Sequence, residues 1–434
     1  MNATARRPAS VRRNHGVRPE PVRSARGCVP PIGRLLTRHS LAAAGPASAL
    51  WNVRGEATPV AIRDRRSVGA DVSGGSGIYD ASRRWVDVST DEIFGIDTFG
   101  DITEHDGKPI SPAQTIRNVV EEAVYAEEAG LDAIGIGEHH RDDFAISAPE
   151  MVLAAIASRT ERLQLGTAVT VLSSDDPVRV HERFSTLDAI SKGRAEIILG
   201  RGSFTESFPL FGFKLEDYEG LFEEKLQLYA ELRSRAVTGE PLSWRARHTQ
   251  ELSDAVIYPP YEERPLPTWV AVGGSPESVV RAAHYDFPLM LAIIGGSADR
   301  FVPFADLYRR AQDEFGHEQA VIGYHSWGHV ADTDEQAAAE LFEPYMRNHN
   351  QIGRERGWPL ATRESYLQEV QHGAMAVGSP ETVAKKVAGG MKALGATRFD
   401  LKVSAGPLAH EKIMRSIELY GTKVVPLVRD MLAD

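Results

Sequence analysis

The stretch LQLGTAVTVLSSDDPVRVHERFSTLDAISKGRAEIILGRGS, residues 163–203, holds two short apolar runs with a helix-forming segment between them. The runs at 163–171 and 194–202 are apolar at nearly every position, as strands covered on both faces are; a half-exposed strand would alternate. Strand, helix and second buried strand make one parallel unit, and the same order fills the chain from residue 92 onward. EIFGIDT (92–98) precedes PAQTIRNVVEEAVYAEEAG, where Ile116, Val119, Val120, Ala123, Val124 and Ala126 recur at helical spacing and Gly130 suits a C-cap. LDAIGIGE (131–138) precedes APEMVLAAIASRTE, and the run at 194–202 leads to LEDYEGLFEEKLQLYAELRS. TWVAVGG (268–274), FPLMLAII (287–294), AVIGYHSWGHVA (320–331) and RFDLKVSAG (398–406) continue the scheme.

Eight such strands predict an α/β fold closed as a (β/α)8 TIM barrel. An open doubly wound sheet would want a Gly-rich dinucleotide turn after its first strand, and FGIDTFGD is not one. Residues 203–216 with 238–267, and 349–374, exceed ordinary loops and are expected as insertions over the C-terminal face.

With 434 residues, 42% hydrophobic and 25% charged, the chain reads as soluble and globular. No apolar run approaches the roughly 20 residues of a membrane helix, and a cytoplasmic protein is expected. A single cysteine, Cys28, excludes an intrachain disulfide, a thiolate zinc cluster and an iron–sulfur centre, so redox chemistry would need a bound cofactor. Residues 1–90 carry 15 Arg, no Lys and 6 acids, a balance of +9, which leaves −20 for the rest of a chain whose total is −11. So acidic a body is a poor nucleic-acid binder. The Arg-, Pro-, Gly- and Ser-rich composition of 1–90 predicts disorder, a dispensable tail ahead of a domain at 91–434; a transit peptide or a polyanion-binding arm are the other readings.

In such a barrel chemistry sits at the C-terminal ends of the strands. Those ends are Asp97–Gly100, Glu138–Arg141, Ala168–Val171, Arg201–Phe204, Gly273–Ser278, Ile293–Gly296, His325–His329 and Ser404–Pro407. GEHHRDDF (137–144) places two histidines at the second of them. Neighbouring side chains on an extended backbone point to opposite faces, so His139 and His140 suit a single acid–base imidazole better than a shared metal, and HExxH spacing is absent. No metal is expected. GGSPESVV (273–280) and VGSPETVA (377–384) both read as helix starts with a Ser cap and Pro at the first position. The first, with paired glycines, also offers N–H groups to an anion and is assigned to phosphate; the second is assigned to structure. Arg201, between glycines in IILGRGSF, stands at the mouth as an unpaired fork for a phosphate.

Together these pieces resemble the luciferase-like flavin-dependent monooxygenases, the family of bacterial luciferase and of alkane and nitrilotriacetate monooxygenases. The resemblance runs from about residue 92 to the C-terminus through FGIDTFGD, DAIGIGEHHRDDF, the opening stretch, WVAVGGSPESV and GSPETVAKKVAGGMKALGATRFDL. It implies FMN at the barrel mouth and His139 as the catalytic histidine. It implies a non-proline cis peptide at Ala168–Val169 beneath the flavin ring. Arg201, Gly202, Ser275 and Ser278 with the backbone of Gly273 and Gly274 would form a phosphate cradle, and Asp97, Thr98 and Phe99 would lie near ring or substrate. Gly200 stands where luciferase has a cysteine and Glu219 about where it has a second phosphate-directed arginine, so light emission is not implied.

The expected activity is oxygenation of a small organic substrate by O2 with reduced FMN, supplied by a separate NAD(P)H-flavin reductase, in a homodimer. The alternatives are deazaflavin-dependent hydride transfer and a non-catalytic flavin-binding partner subunit.

Overall fold

The fold is that of a computed structural model describing residues 92–261 and 264–433. The extension 1–90, expected to be disordered, lies outside the described residues. Eight staves run in order: β1 (Ile93–Thr98), β2 (Ala133–Ile136), β3 (Gln164–Thr167, resumed as Thr170–Val171), β4 (Ile197–Gly200), β5 (Thr268–Val272), β6 (Leu289–Ala292), β7 (Ile322–Val330) and β8 (Arg398–Lys402). All neighbours pair in parallel, and β8 returns to β1. The seam between β3 and β4 uses both pieces of β3: Leu165 bridges Ala195, and Thr170–Val171 pairs with Leu199–Gly200. The architecture is therefore the expected TIM barrel.

Helices cover the ring: α1 (Pro112–Glu128), α2 (Pro149–Ala157), α3 (Pro177–Ser191), α4 (Tyr218–Arg235), α5 (Pro276–His284), α6 (Val302–Phe315), α7 (Asp334–Arg356), α8 (Arg363–His372), α9 (Pro380–Leu394), α10 (His410–Leu419) and α11 (Val425–Ala433). Four of them begin alike. Ser111, Asp176, Ser275 and Ser379 each accept a backbone N–H with the side chain, and proline follows at once. Such a cap satisfies one of the N–H groups that a helix start leaves open, and proline has no N–H to waste there. No helix among the described residues is long and apolar enough to cross a membrane.

Residues 203–216 and the stretch from the end of α7 into α8 reach the mouth, through Glu206 beside His139 and Glu355 on Arg141. Within 238–267 the hairpin of Leu242–Trp244 and Leu252–Ala255 packs on α4, with Leu242 against Leu228 and Leu232, and its tip reaches helix starts on the mouth side, Gln250 donating to Asp176 and Arg247 pairing with Asp217. Those leucines supply the apolar surface that the hairpin buries.

Inside the barrel, alternation along β8 puts Arg398, Asp400 and Lys402 on the inner face and Phe399 and Leu401 on the outer. Arg398 is fully buried; two of its nitrogens hold Glu196 at 2.7 and 2.8 Å, and Nε holds both oxygens of Asp400 at 2.9 and 3.1 Å. Burial opposes the guanidinium charge, but the two carboxylates outweigh it and raise its pKa further. Ile198, Trp269 and Met290 fill the space beside this cluster. Arg398→Met should lower unfolding free energy by about 3–5 kcal/mol, the cost of leaving buried carboxylates unpaired. Denaturant unfolding checks this, and adding Glu196→Gln and Asp400→Asn to the same chain should recover most of the loss.

Candidate functional site

The mouth has a floor built by omission of side chains. A Cβ at Gly135 would run into Asp97 Oδ1, one at Gly137 into the Phe99 ring, and one at Gly200 into Val169 Cγ2. With hydrogen there, Asp97, Phe99, Ala168 and Val169 come together at the strand exits. The Ala168–Val169 peptide is cis, as the resemblance implies. Thr167 and Thr170 flank it with their hydroxyls 2.8 Å apart, and Ala168 N–H donates to Ile136 O. Gly200 is thus explained locally: Val169 takes the space a side chain would need.

Asp97 is buried, with Oδ2 2.8 Å from His325 Nδ1 and Oδ1 without a partner. Phe99 lies over the Lys402 ammonium at 4.4 Å. Thr98 turns the other way. It follows Asp97 on an extended strand, so it faces the helix layer, where its hydroxyl accepts the Gly100 N–H at 3.2 Å. Burial holds the Lys402 ammonium below the usual lysine range against the pull of Asp101. Lys402 Nζ also donates to the carbonyl of Ser404 at 2.5 Å, and Asp101 accepts from Ser404 Oγ and Gly406 N–H.

The histidine pair diverges as alternation requires. His139 turns inward, its ring stacked on Phe144 at 4.3 Å and edge-on to Phe204 at 4.6 Å. Its Nδ1 is buried with no hydrogen-bond partner, 3.9 Å from Glu206 Oε1. Burial works against the Glu206 charge, but His139, the residue's own backbone N–H and Arg141 together hold its carboxyl below the usual range. His140 turns away to Glu138, 3.0 Å off, and that bond raises its pKa.

At the anion end Arg201 is not the unpaired fork that the sequence suggests. Its guanidinium pairs with Glu219, in the first turn of α4, where the positive helix end favours an acid, and it lies over the Tyr218 ring. Tyr218 donates to the carbonyl of Gly202, whose positive φ of 73° the turn requires. Arg281, missed in the sequence, extends the group. Its Nη1 donates to Ser278 Oγ at 3.1 Å, its Nε to Glu223 at 2.5 Å, and Nη2 is 4.0 Å from Glu219. Ser275 Oγ is spent on the cap and on Glu277, so a ligand here would meet backbone N–H groups more than that hydroxyl. At Gly274, with φ of 127°, an added Cβ would meet nothing within 4 Å, which leaves the backbone ahead of α5 open to close approach.

The second helix start is different. Asp334 fills it, accepting Ser379 N–H at 2.7 Å and the Thr382 hydroxyl at 2.9 Å. Its carboxyl is held below the usual range, chiefly by the Ser379 N–H bond. A protein carboxylate thus occupies the anion seat of α9, while no carboxylate among the described residues accepts a backbone N–H at the start of α5, where Glu277 meets only the Ser275 hydroxyl.

The chain has counterparts among known proteins. A family model described as luciferase-like monooxygenase matches residues 95–398. The 4-hydroxyprotoasukamycin monooxygenase of Streptomyces nodosus subsp. asukaensis is 26% identical over 328 residues, covering 73% of this chain and 87% of its own. The oxygenating constituent of 3,6-diketocamphane monooxygenase from Pseudomonas putida, solved in complex with FMN, superposes with a TM-score of 0.63 at 19% identity, over 77% of this chain and 98% of that one. An F420-dependent secondary alcohol dehydrogenase, solved with an F420–acetone adduct, gives 0.61 at 17% identity, over 78% and 100%. At such identities the solved structures show a shared fold.

Gly200→Ala should cost about 1–3 kcal/mol of stability, the range for an overpacked core, because Val169 is β-branched and cannot swing clear. Thermal unfolding measures it, and Val169→Ala in the same chain should restore most of the loss.

Proposed function

Because the chain belongs to the luciferase-like monooxygenase family, we propose that it is a flavin-dependent monooxygenase that uses reduced FMN, delivered by a separate NAD(P)H-dependent reductase, and O2 to oxygenate a small organic substrate. The observation that carries this reading is the pairing of a floor at Asp97, Phe99, Ala168 and Val169 with the open anion seat of α5 beside Arg201 and Arg281. A flat ring with a phosphate tail fits such a shape, and the FMN complex of a protein with this fold is consistent with it.

When bound, FMN would supply the electrons that activate O2. The chain's own residues bind, orient and exclude water. Gly274, Ser275 and the following turn of α5 would hold the phosphate through backbone N–H groups, and Arg201 and Arg281 would supply charge. Phe99, Phe144 and Phe204 wall the reacting region with apolar rings. His139, among those rings with a buried unpartnered Nδ1, would bind or release a proton at the substrate side.

The deazaflavin reading stays as a second one, because a barrel of this fold carries F420. Its longer anionic tail wants a cationic mouth, whereas here Arg201 and Arg281 already face Glu219 and Glu223. A non-catalytic flavin-binding subunit would have no use for an acid–base group such as His139.

The test is oxygen uptake with FMN, NADH and a flavin reductase, followed by product analysis. Uptake tied to an oxygenated product supports the reading; hydride transfer with F420 and no oxygen uptake removes it. His139→Ala should still bind FMN and lose oxygenation by about 100- to 10,000-fold, the usual contribution of an acid–base group. Glu219→Gln should tighten FMN up to about fivefold, since a half-exposed ion pair is worth about 1 kcal/mol at most. Riboflavin, which lacks the phosphate, should bind both chains equally, and fluorescence titration reads the difference.

A further inference from the structure

His325 is the fourth residue of β7, level with Asp400 on β8, and nothing above gives it a role. Its Nδ1 is 2.8 Å from Asp97 Oδ2, a contact that spans β8, because β8 pairs with β7 on one side and β1 on the other. Asp97 is 1% exposed and His325 9%. With Asp97 ionised, the nitrogen facing it must carry the proton, so the neutral ring is the Nδ1–H tautomer and its lone pair sits at Nε2. Among the described residues Nε2 has no hydrogen-bond partner, and it is not one of the sealed orphan atoms, whereas Nδ1 of His139 is. The two imidazoles at this mouth are therefore built differently. His139 is clamped by aromatic rings with no carboxylate within hydrogen-bond distance; His325 is backed by a buried carboxylate and keeps a free nitrogen.

We propose that His325, held by Asp97, is a second acid–base residue of the mouth and exchanges a proton at Nε2 with the oxygen that leaves as water. This rests on the monooxygenase reading. In the overall reaction R–H, O2, two electrons and two protons give R–OH and H2O. His325 takes up one of those protons at Nε2, becoming imidazolium against the Asp97 carboxylate, and gives it to the departing oxygen. The dyad ends with the protons it began with, and no other co-reactant is needed. Asp97 is the positioning residue: it fixes tautomer and ring orientation and stabilises the imidazolium while it lasts.

The groups around the dyad suit this cycle. Asp400 is the cross-strand neighbour of His325 and Lys402 that of Asp97; Arg398 and Glu196 lie below, and Asp101 binds Lys402 above. Two buried cations, Arg398 and Lys402, thus face four carboxylates, Asp97, Asp101, Glu196 and Asp400. A proton on His325 relieves part of that negative excess without moving a side chain.

The first measurement needs no flavin. In the ligand-free protein with 15N-labelled histidine, long-range 1H–15N spectra should assign neutral His325 as the Nδ1–H tautomer; an Nε2–H tautomer overturns the proposal. The second uses the FMN-loaded enzyme. His325→Gln should leave FMN affinity within about twofold, lower kcat by about 100-fold or more with little change in KM, and remove one limb of the pH–rate profile. Asp97→Asn should displace that limb rather than abolish it. A kcat within threefold of the parent, or an unaltered pH profile, overturns the proposal even if the tautomer is as expected. Should FMN fail to bind the parent chain at all, the flavin reading falls by that result, and the tautomer alone then decides whether the dyad exists.

Discussion

A guanidinium with no surface left to water occupies the middle of the barrel, and the mouth is set by what surrounds it. Arg398 on β8 holds Glu196 beside β4 and Asp400 on its own strand, so strands on opposite sides of the ring are tied through one planar group. Trp269 lies against the cation at 5.1 Å. Such a cluster does not earn its place by net stability, since desolvating three charges costs about what their attraction returns. Its effect is on register. A one-residue slip of β8 would turn Arg398, Asp400 and Lys402 outward and bring Phe399 and Leu401 into the ion cluster, so the alternative pairings are strongly disfavoured.

Above that plug, charge is layered. Asp400 is pushed up by burial, and by Asp97 and Glu196, with Arg398 pulling the other way. Next come Asp97 and His325, then Lys402 with Asp101 and Phe99, then the aromatic group around His139. The glycines at 135, 137 and 200 make this possible, because any side chain there would fill the space that Asp97, Phe99 and Val169 occupy.

The fold was legible in the sequence because its decisive signal is local. Near-continuous apolar runs followed by helical spacing can be read one unit at a time, and the unit count points to closure. The strand-exit rule then placed Asp97, Phe99, His139, Ala168, Val169, Arg201 and the Gly273–Ser278 turn at one mouth. What escaped depends on pairs distant in the chain. Glu219 was visible as a departure, but nothing local says that it reaches Arg201 18 residues earlier. His325 stood among the strand ends, yet its partner is 228 residues away. Two misses did carry a signal. RFDLK has Arg, Asp and Lys at period two inside a buried strand, which places charges on the inner face, and Arg281 stands three residues after Ser278, on the same side of α5. Alternation also sets Thr98 apart, since with Asp97 facing inward its neighbour on the extended strand faces the other way.

The anion end follows a different logic from the floor. Glu219 and Glu223 are one helical turn apart on α4 and take Arg201 and Arg281 between them, so that end is close to neutral before any ligand arrives. Under the proposed function an incoming phosphate would exchange one anionic partner of the arginines for another, instead of filling a cationic hole. Its gain is the difference between two partly exposed ion pairs, plus the helix-start N–H groups, and that sum is modest. A strongly cationic cradle would hold oxidised and reduced flavin alike and release neither quickly. A neutralised one favours turnover of the ligand itself, which is what the proposed chemistry asks of a flavin that arrives reduced from another protein and leaves oxidised. Under the proposed function the carboxylates on α4 would set how long the cofactor stays, and the residues of the floor what happens while it is there.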